Sequence, residues 1–137
     1  MKKGTYRLLD FSVRGDERGS LVALEGLSAQ IPFDIKRVYY IFGTTAGMVR
    51  GKHAHYCLKQ VLVCVSGQCD IEVFDGQTKN TIHMDSPRRG LLLDGFIWRE
   101  MKNFSQGCVL IVLASEHYDE KDYVRSYEQF LKEVKEL

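Results

Sequence analysis

The sequence predicts an all-β protein, an antiparallel barrel or double sheet with one α-helix at its C-terminal end. Three observations predict it. Short apolar runs of strand length recur from residue 20 to residue 114 at the spacing of a sandwich or barrel. Glycine-containing turn pairs punctuate them, and after residue 120 the apolar residues fall at helical spacing instead.

In chain order the strand-like runs are residues 20–24, 37–42, 60–65, 69–74, 80–84, 90–93, 98–101 and 109–114. Asp75-Gly76, between residues 69–74 and 79–84, is a strong hairpin signal, and Ser66-Gly67 and Gln106-Gly107 punctuate similarly. At least eight strands with no intervening helix imply an antiparallel barrel or paired sheets. Tyr123, Val124, Tyr127, Phe130, Leu131, Val134 and Leu137 then recur as one amphipathic stripe, with Asp119 or Asp122 placed to cap its start. The expected layout is one domain over residues 1–137, a barrel over about 5–118 and a helix over about 120–136, with no repeat or linker.

At 137 residues the chain has the size of a single compact domain, and 45% hydrophobic with 27% charged residues is an ordinary globular mixture. Nineteen basic against eighteen acidic residues leave a net charge of +1, so no global field draws it to nucleic acid or a membrane surface. No apolar run approaches the ~20 residues of a membrane span, and Met1-Lys2-Lys3-Gly4-Thr5-Tyr6 lacks a signal-peptide core. The expectation is a cytoplasmic protein. Cys57, Cys64, Cys69 and Cys108 form no CxxC pair, and three of them sit in apolar runs, as reduced, buried cysteines do.

The chemistry concentrates at Arg50-Gly51-Lys52-His53-Ala54-His55, followed by Gln60 and Gly67. Alternate side chains of a strand share a face, so His53 and His55 point the same way and, on an inward face, enter one cavity. His83 and His117 have no such company and read as structural or exposed.

HxH followed by an acidic or amide residue and then a glycine resembles the first motif of the cupin superfamily, which implies a jelly-roll β-barrel. Many cupins hold a metal with those histidines, a glutamate and a later histidine. Gln60 stands where the glutamate belongs and Trp98, in Gly95-Phe96-Ile97-Trp98, where the later histidine belongs. A neutral amide is a poor ligand and an indole none, so the expectation is no metal. Imidazoles freed from metal can serve as acid and base, with an ordinary pKa of about 6.5.

Most of the chain is similar to the dTDP-4-oxo-6-deoxyglucose 3,4-ketoisomerases. The segments that carry the resemblance are Asp16-Glu17-Arg18-Gly19-Ser20-Leu21-Val22-Ala23, then Ile31-Pro32-Phe33-Asp34-Ile35-Lys36-Arg37-Val38-Tyr39-Tyr40-Ile41-Phe42, then the histidine segment, and last residues 109–123. The resemblance implies conversion of dTDP-4-keto-6-deoxyglucose to the 3-keto sugar through an enediol, without cofactor, for surface glycans such as O-antigen or S-layer. It places His53 as base, Tyr39 as proton relay or enediolate donor and His55 as a second proton carrier or oxygen donor. Arg18, Arg50 and Arg99 are the cations for pyrophosphate or enediolate oxygens. Gln60 is placed to meet a sugar hydroxyl, and Arg88-Arg89 read as a solvated turn. Some relatives carry histidine where this chain has Arg99, so the face of protonation at C4, gluco or galacto, stays open.

The alternatives are a rhamnose-type 3,5-epimerase on the same substrate and a non-catalytic sugar-binding cupin. The first is usually longer and pairs its base with a distant aspartate. The resemblance further implies a homodimer that exchanges an edge strand.

Overall fold

The computed structural model describes residues 1–137 and carries twelve strands, a 3₁₀ turn and one α-helix. The strands are β1 (Thr5–Asp10), β2 (Arg14–Asp16), β3 (Gly19–Leu21), β4 (Arg37–Ile41), β5 (Arg50–His55), β6 (Gln60–Ser66), β7 (Cys69–Phe74), β8 (Lys79–Met84), β9 (Arg89–Asp94), β10 (Trp98–Lys102), β11 (Val109–Ala114) and β12 (Tyr123–Val124). The 3₁₀ turn spans Glu120–Asp122 and α1 spans Tyr127–Val134.

Two five-stranded antiparallel sheets face each other, one ordered β1-β9-β6-β11-β4 and the other β12-β5-β10-β7-β8. The jelly-roll sandwich predicted from the sequence is therefore the observed architecture. Strand β6 lies inside the first sheet and both of its faces are covered, which is why it reads as a continuous apolar run rather than an alternating one. Leu62 and Cys64 point between the sheets and meet Ile71, Leu91, Leu93 and Leu110. Val61 and Val63 point the other way, into a layer of Leu9, Phe11, Ile31 and Phe33 that seals the back of that sheet. In β7 the alternation is regular, with Cys69, Ile71 and Val73 buried and Asp70, Glu72 and Phe74 partly exposed.

The hairpin signal at Asp75-Gly76 joins β7 to β8, with Phe74 opposite Lys79, and Asp75 Oδ1 accepts from the backbone of Gln77 and Thr78. Helix α1 covers the outside of the second sheet through Phe130 and Val134, one turn apart, packed with Phe96, Trp98 and Val124. Its cap is Ser126, whose side chain accepts from Gln129 N.

Three expectations change. The helix begins at Tyr127, not near residue 120, because Tyr123 and Val124 pair in antiparallel fashion with His55 and Ala54 as strand β12. Asp119 caps only the 3₁₀ turn. The run at residues 20–24 shortens to β3, part of an exposed hairpin with β2. Strand β1 is also new: Thr5–Asp10 has no clear alternation, and its pairing along the whole of β9 creates it.

Candidate active site

Strand β5 is bent before its histidines. Arg99 of β10 faces His53 while Met101 faces Arg50, so Gly51 and Lys52 together oppose Glu100. Such an extra residue locally twists the bulged strand and re-aims the side chains beyond it. Gly51 accommodates it with φ of 70°, and a Cβ there would sit 3.2 Å from Met101 Cε. Beyond the bulge His53, Ala54 and His55 are all buried.

The two imidazoles meet edge to face with centroids 4.7 Å apart, and the Tyr123 ring lies 4.9 Å from His53 and 4.3 Å from His55. A cavity of about 500 Å³ opens on Tyr39 and His53 and is bordered by Arg37, Arg50, Lys52 and Arg125. An adjoining cavity of about 590 Å³ reaches His55 beside Tyr118 and Asp122. Arg37 and Tyr123 border both. The single cavity expected for the histidines is thus two that share a wall.

Behind them runs a buried polar chain. Gln60 Nε2 donates to Tyr39 Oη at 2.9 Å, Gln60 Oε1 accepts a short hydrogen bond from Arg99 Nη1, and Arg99 Nη2 reaches Ile97 O at 3.4 Å. The Arg99 Nε has no partner, and neither has Nε2 of His53 or of His55. Arg99 is 1% exposed and no salt bridge forms with it. A lone buried charge costs several kcal/mol.

Protonation follows from these contacts. Burial, then the Arg99 cation, brings the His53 pKa down to about 2. Burial brings His55 down to about 4, opposed by its hydrogen bond to Asp122. Both are neutral at pH 7 with Nε2 free. Burial raises the Tyr39 phenol while Arg99 opposes the rise. Burial also lowers Arg99 to about 10, which leaves it charged.

One contact orients the pair. Asp122 Oδ2 lies 3.0 Å from His55 Nδ1, and its Oδ1 accepts from Cys57 N at 2.7 Å. Burial works to raise the Asp122 carboxyl, but these hydrogen bonds hold it below the usual carboxylate range. An ionised Asp122 fixes the proton of neutral His55 on Nδ1 and leaves Nε2 as the acceptor.

The structure therefore brings together Tyr39, His53, His55, Gln60 and Arg99, with Arg50 at the cavity wall. It separates Arg18, which lies on the exposed β2–β3 turn and pairs with Asp16 at 2.6 Å. Gln60, expected to meet a sugar hydroxyl, joins Tyr39 to Arg99 through its amide. Trp98, placed by the cupin motif at the later histidine's position, packs outward on Tyr127 and Phe130, and the inward position of β10 is Arg99. His83 is exposed and bound to Asp70, and His117 sits on the outer wall of the larger cavity. Sequence reasoning missed Arg37, Asp122, Tyr123 and Arg125. Asp122 and Tyr123 looked like the first turn of a helix, and no local signal distinguishes them from one.

The donor set does not suit a metal ion. Two imidazoles stand beside a buried guanidinium, and the amide nearest them is already engaged on both sides.

The sequence profile of the family described as FdtA: WxcM-like, C-terminal matches residues 4–135. The chain is 47% identical over 131 residues to the TDP-4-oxo-6-deoxy-alpha-D-glucose-3,4-oxoisomerase of Aneurinibacillus thermoaerophilus, covering 96% of this chain and 94% of that one. It superposes on a 3,4-ketoisomerase of Helicobacter canadensis with a TM-score of 0.92 and 47% identity, over 95% and 97% of the two chains. QdtA, a sugar 3,4-ketoisomerase of Thermoanaerobacterium thermosaccharolyticum solved with TDP, gives 0.93 and 43%, over 96% and 95%. Match, identity and superposition all span nearly the whole chain, and the chain belongs to the FdtA-like family of sugar 3,4-ketoisomerases.

Proposed function

We propose that this protein is a 3,4-ketoisomerase acting on TDP-4-keto-6-deoxyglucose, and that His53 is its base. The ketoisomerase relatives support the reaction and the substrate. The observation that carries the residue assignment is a neutral imidazole with a free, buried Nε2 next to a charged guanidinium with a free Nε.

His53 Nε2 takes the proton from C3 of the sugar. Negative charge moves onto O4, where Arg99 and the Tyr39 phenol stabilise it, a donor of this kind contributing about 10²–10³ in rate. The proton on O3 passes to O4, C4 is protonated, and the ketone now stands at C3. The net change is one proton from C3 to C4 and one from O3 to O4, so no redox cofactor takes part. A base with so low a pKa is a poor match for a carbon acid by itself. The enediolate charge raises the affinity of His53 for the proton at the moment it is needed, and Arg99 pairs with that charge. His55, held by Asp122, supplies the second proton carrier or an oxygen donor. Arg37, Arg50, Lys52 and Arg125 offer the cationic rim that a diphosphate requires.

The 137 residues act as one cupin unit and assemble as a homodimer. Two features support assembly: Val38 and Tyr40 on edge strand β4 and Phe42 just after it form an exposed apolar row, and the β2–β3 hairpin projects with Arg18 at its turn. Arg18, remote from its own histidines, then meets substrate from the partner's side. No helix is long and apolar enough to cross a membrane. A cytoplasmic enzyme supplying 3-amino-3,6-dideoxyhexoses for surface glycans completes the reading.

The test is incubation with TDP-4-keto-6-deoxyglucose in deuterated water, followed by NMR. A 3-keto product with deuterium at C4 is expected, with deuterium at C3 found only in recovered 4-keto substrate. Deuterium at C5 identifies an epimerase and overturns the reading, as does binding without turnover across a panel of 4-keto nucleotide sugars.

A further inference from the structure

The sandwich has a second concentration of reactive side chains, at the end away from the histidines. Strand β6 leads there, from Gln60 beside Arg99 to Cys64 four residues on, about 13 Å at the rise of a strand. Cys69 opens β7 and Cys108 immediately precedes β11, so two strands and the turn entering a third deliver the thiols to one place. Their exposures are 0%, 0% and 2%. All three sulfurs lie within 4.8 Å of one another, with Cys64 Sγ and Cys108 Sγ 3.7 Å apart, and all are free thiols.

A single buried thiol is an ordinary small hydrophobe. Three converging sulfurs are a ligand set. A zinc–sulfur bond of about 2.3 Å puts sulfurs about 3.8 Å apart around a tetrahedral ion and about 4.0 Å apart around a trigonal one. The 3.7 Å pair already has that spacing, and the widest separation needs to contract by less than about 1 Å. The Cys64 thiol lies 3.3 and 3.5 Å from the carbonyl oxygens of Ser66 and Gly67, oxygen atoms close to one of the three sulfurs. Each cysteine binds as its thiolate, so the three ligand protons go to solvent and affinity rises with pH.

We propose that Cys64, Cys69 and Cys108 form a binding site for one soft d¹⁰ dication, Zn(II) or Cd(II), independent of the catalytic cavity. The site has a way in. It lies directly beneath two turns, residues 66–68 and 105–107, that are linked by Gln68 N to Ser105 Oγ at 2.8 Å and Ser105 N to Gln68 O at 2.9 Å. Ser66, Gly67, Gln68, Gln106 and Gly107 at their tips are exposed, so local opening admits an ion without unfolding the sheets. The bound ion ties β6, β7 and the start of β11 together.

The experiment is titration of the full-length, chelator-treated protein with Cd(II), anaerobically and in a phosphine reductant. Thiolate-to-cadmium charge-transfer absorption in the ultraviolet and native mass spectrometry give the donor type and the count. One ion per chain, a rise in Tm with ion concentration and slowed alkylation of the three buried thiols are expected. The absorption should vanish in Cys64→Ala and Cys108→Ala and persist in Cys57→Ser, whose thiol is exposed. Circular dichroism verifies that each variant is folded. Alkylation of the unmodified protein needs no variant at all. A folded protein that shows no charge-transfer band with stoichiometric Cd(II), a band that survives both alanine variants, or unchanged alkylation overturns the proposal. None of these readouts depends on turnover, so failure here leaves the isomerase reading untouched.

Discussion

Strand β6 carries Gln60 near one end of the sandwich and Cys64 toward the other, and the buried polar groups it links differ in kind. At the first end an amide and a guanidinium joined by a hydrogen bond stand beside two neutral imidazoles, and Nε2 of each histidine and Nε of Arg99 have no partners. At the second end the groups are three thiols that mostly meet each other. A cation repels a metal ion and welcomes an anion, so the histidine end is set for negative charge that develops during reaction. Thiols carry no charge until something removes their protons, and so that end is set for a soft cation. The comparison shows that the HxH spacing, which reads like a metal motif, sits at the end least able to hold a metal. The choice is made by its neighbours.

The largest effect that sharpens this contrast is at His53. His53→Asn is expected to lower kcat by about 10²–10⁴ while TDP binding stays within about threefold, checked by steady-state kinetics and calorimetry. Retained turnover would end its assignment as base. Arg99→Met comes next, with kcat lower by about 10²–10³. Removing the cation that depresses His53 should also bring that imidazole closer to pKa 6.5, which NMR titration reads directly. Asp122→Asn is expected to cost between about 10- and 100-fold in kcat through misplacement of His55. Because the Asp122 hydrogen bond raises the His55 pKa, the variant should titrate lower still, a shift that a merely structural carboxylate would not produce.

The smallest effect concerns stability against pH. Both histidines are held neutral in the fold with pKa values below the 6.5 of an unfolded chain, so the unfolded state binds more protons below that point. Stability is fully present above pH 6.5 and is lost as pH falls, toward about 4 for His55 and about 2 for His53. Each histidine contributes up to about 1.4 kcal/mol per pH unit, so His53→Asn should lower the slope by about 1 kcal/mol per pH unit in urea unfolding between pH 4.5 and 6. An unchanged slope would mean that His53 is more accessible to protons than its burial implies.

Much of the fold was legible because its signals are local. The runs at 69–74 and 109–114 match β7 and β11 residue for residue, and Asp75-Gly76 marks the β7–β8 hairpin correctly. The site was partly legible for the same reason: a strand's period of two places His53 and His55 on one face, and the absent carboxylate at Gln60 argued against metal. Alignment with the cupin motif put Trp98 at the position of the later histidine, whereas Trp98 is buried under α1 and its neighbour Arg99, a candidate cation from the sequence, is buried between the sheets.

Read alone, the amino-acid sequence supplied most of the strands, the presence of one terminal helix though not its start at Tyr127, the histidine pair and the family, since these rest on periodicity and on segments kept in order. Only the tertiary structure decided that Asp122, sixty-seven residues from His55, would hold its ring, that Gln60 would bridge Tyr39 to Arg99, and that three scattered cysteines would meet. The physical reason is separation. Neither Asp122 nor Cys108 has a local partner that reveals its use, and each acquires one only when sheet pairing brings distant strands within hydrogen-bond or sulfur-contact range.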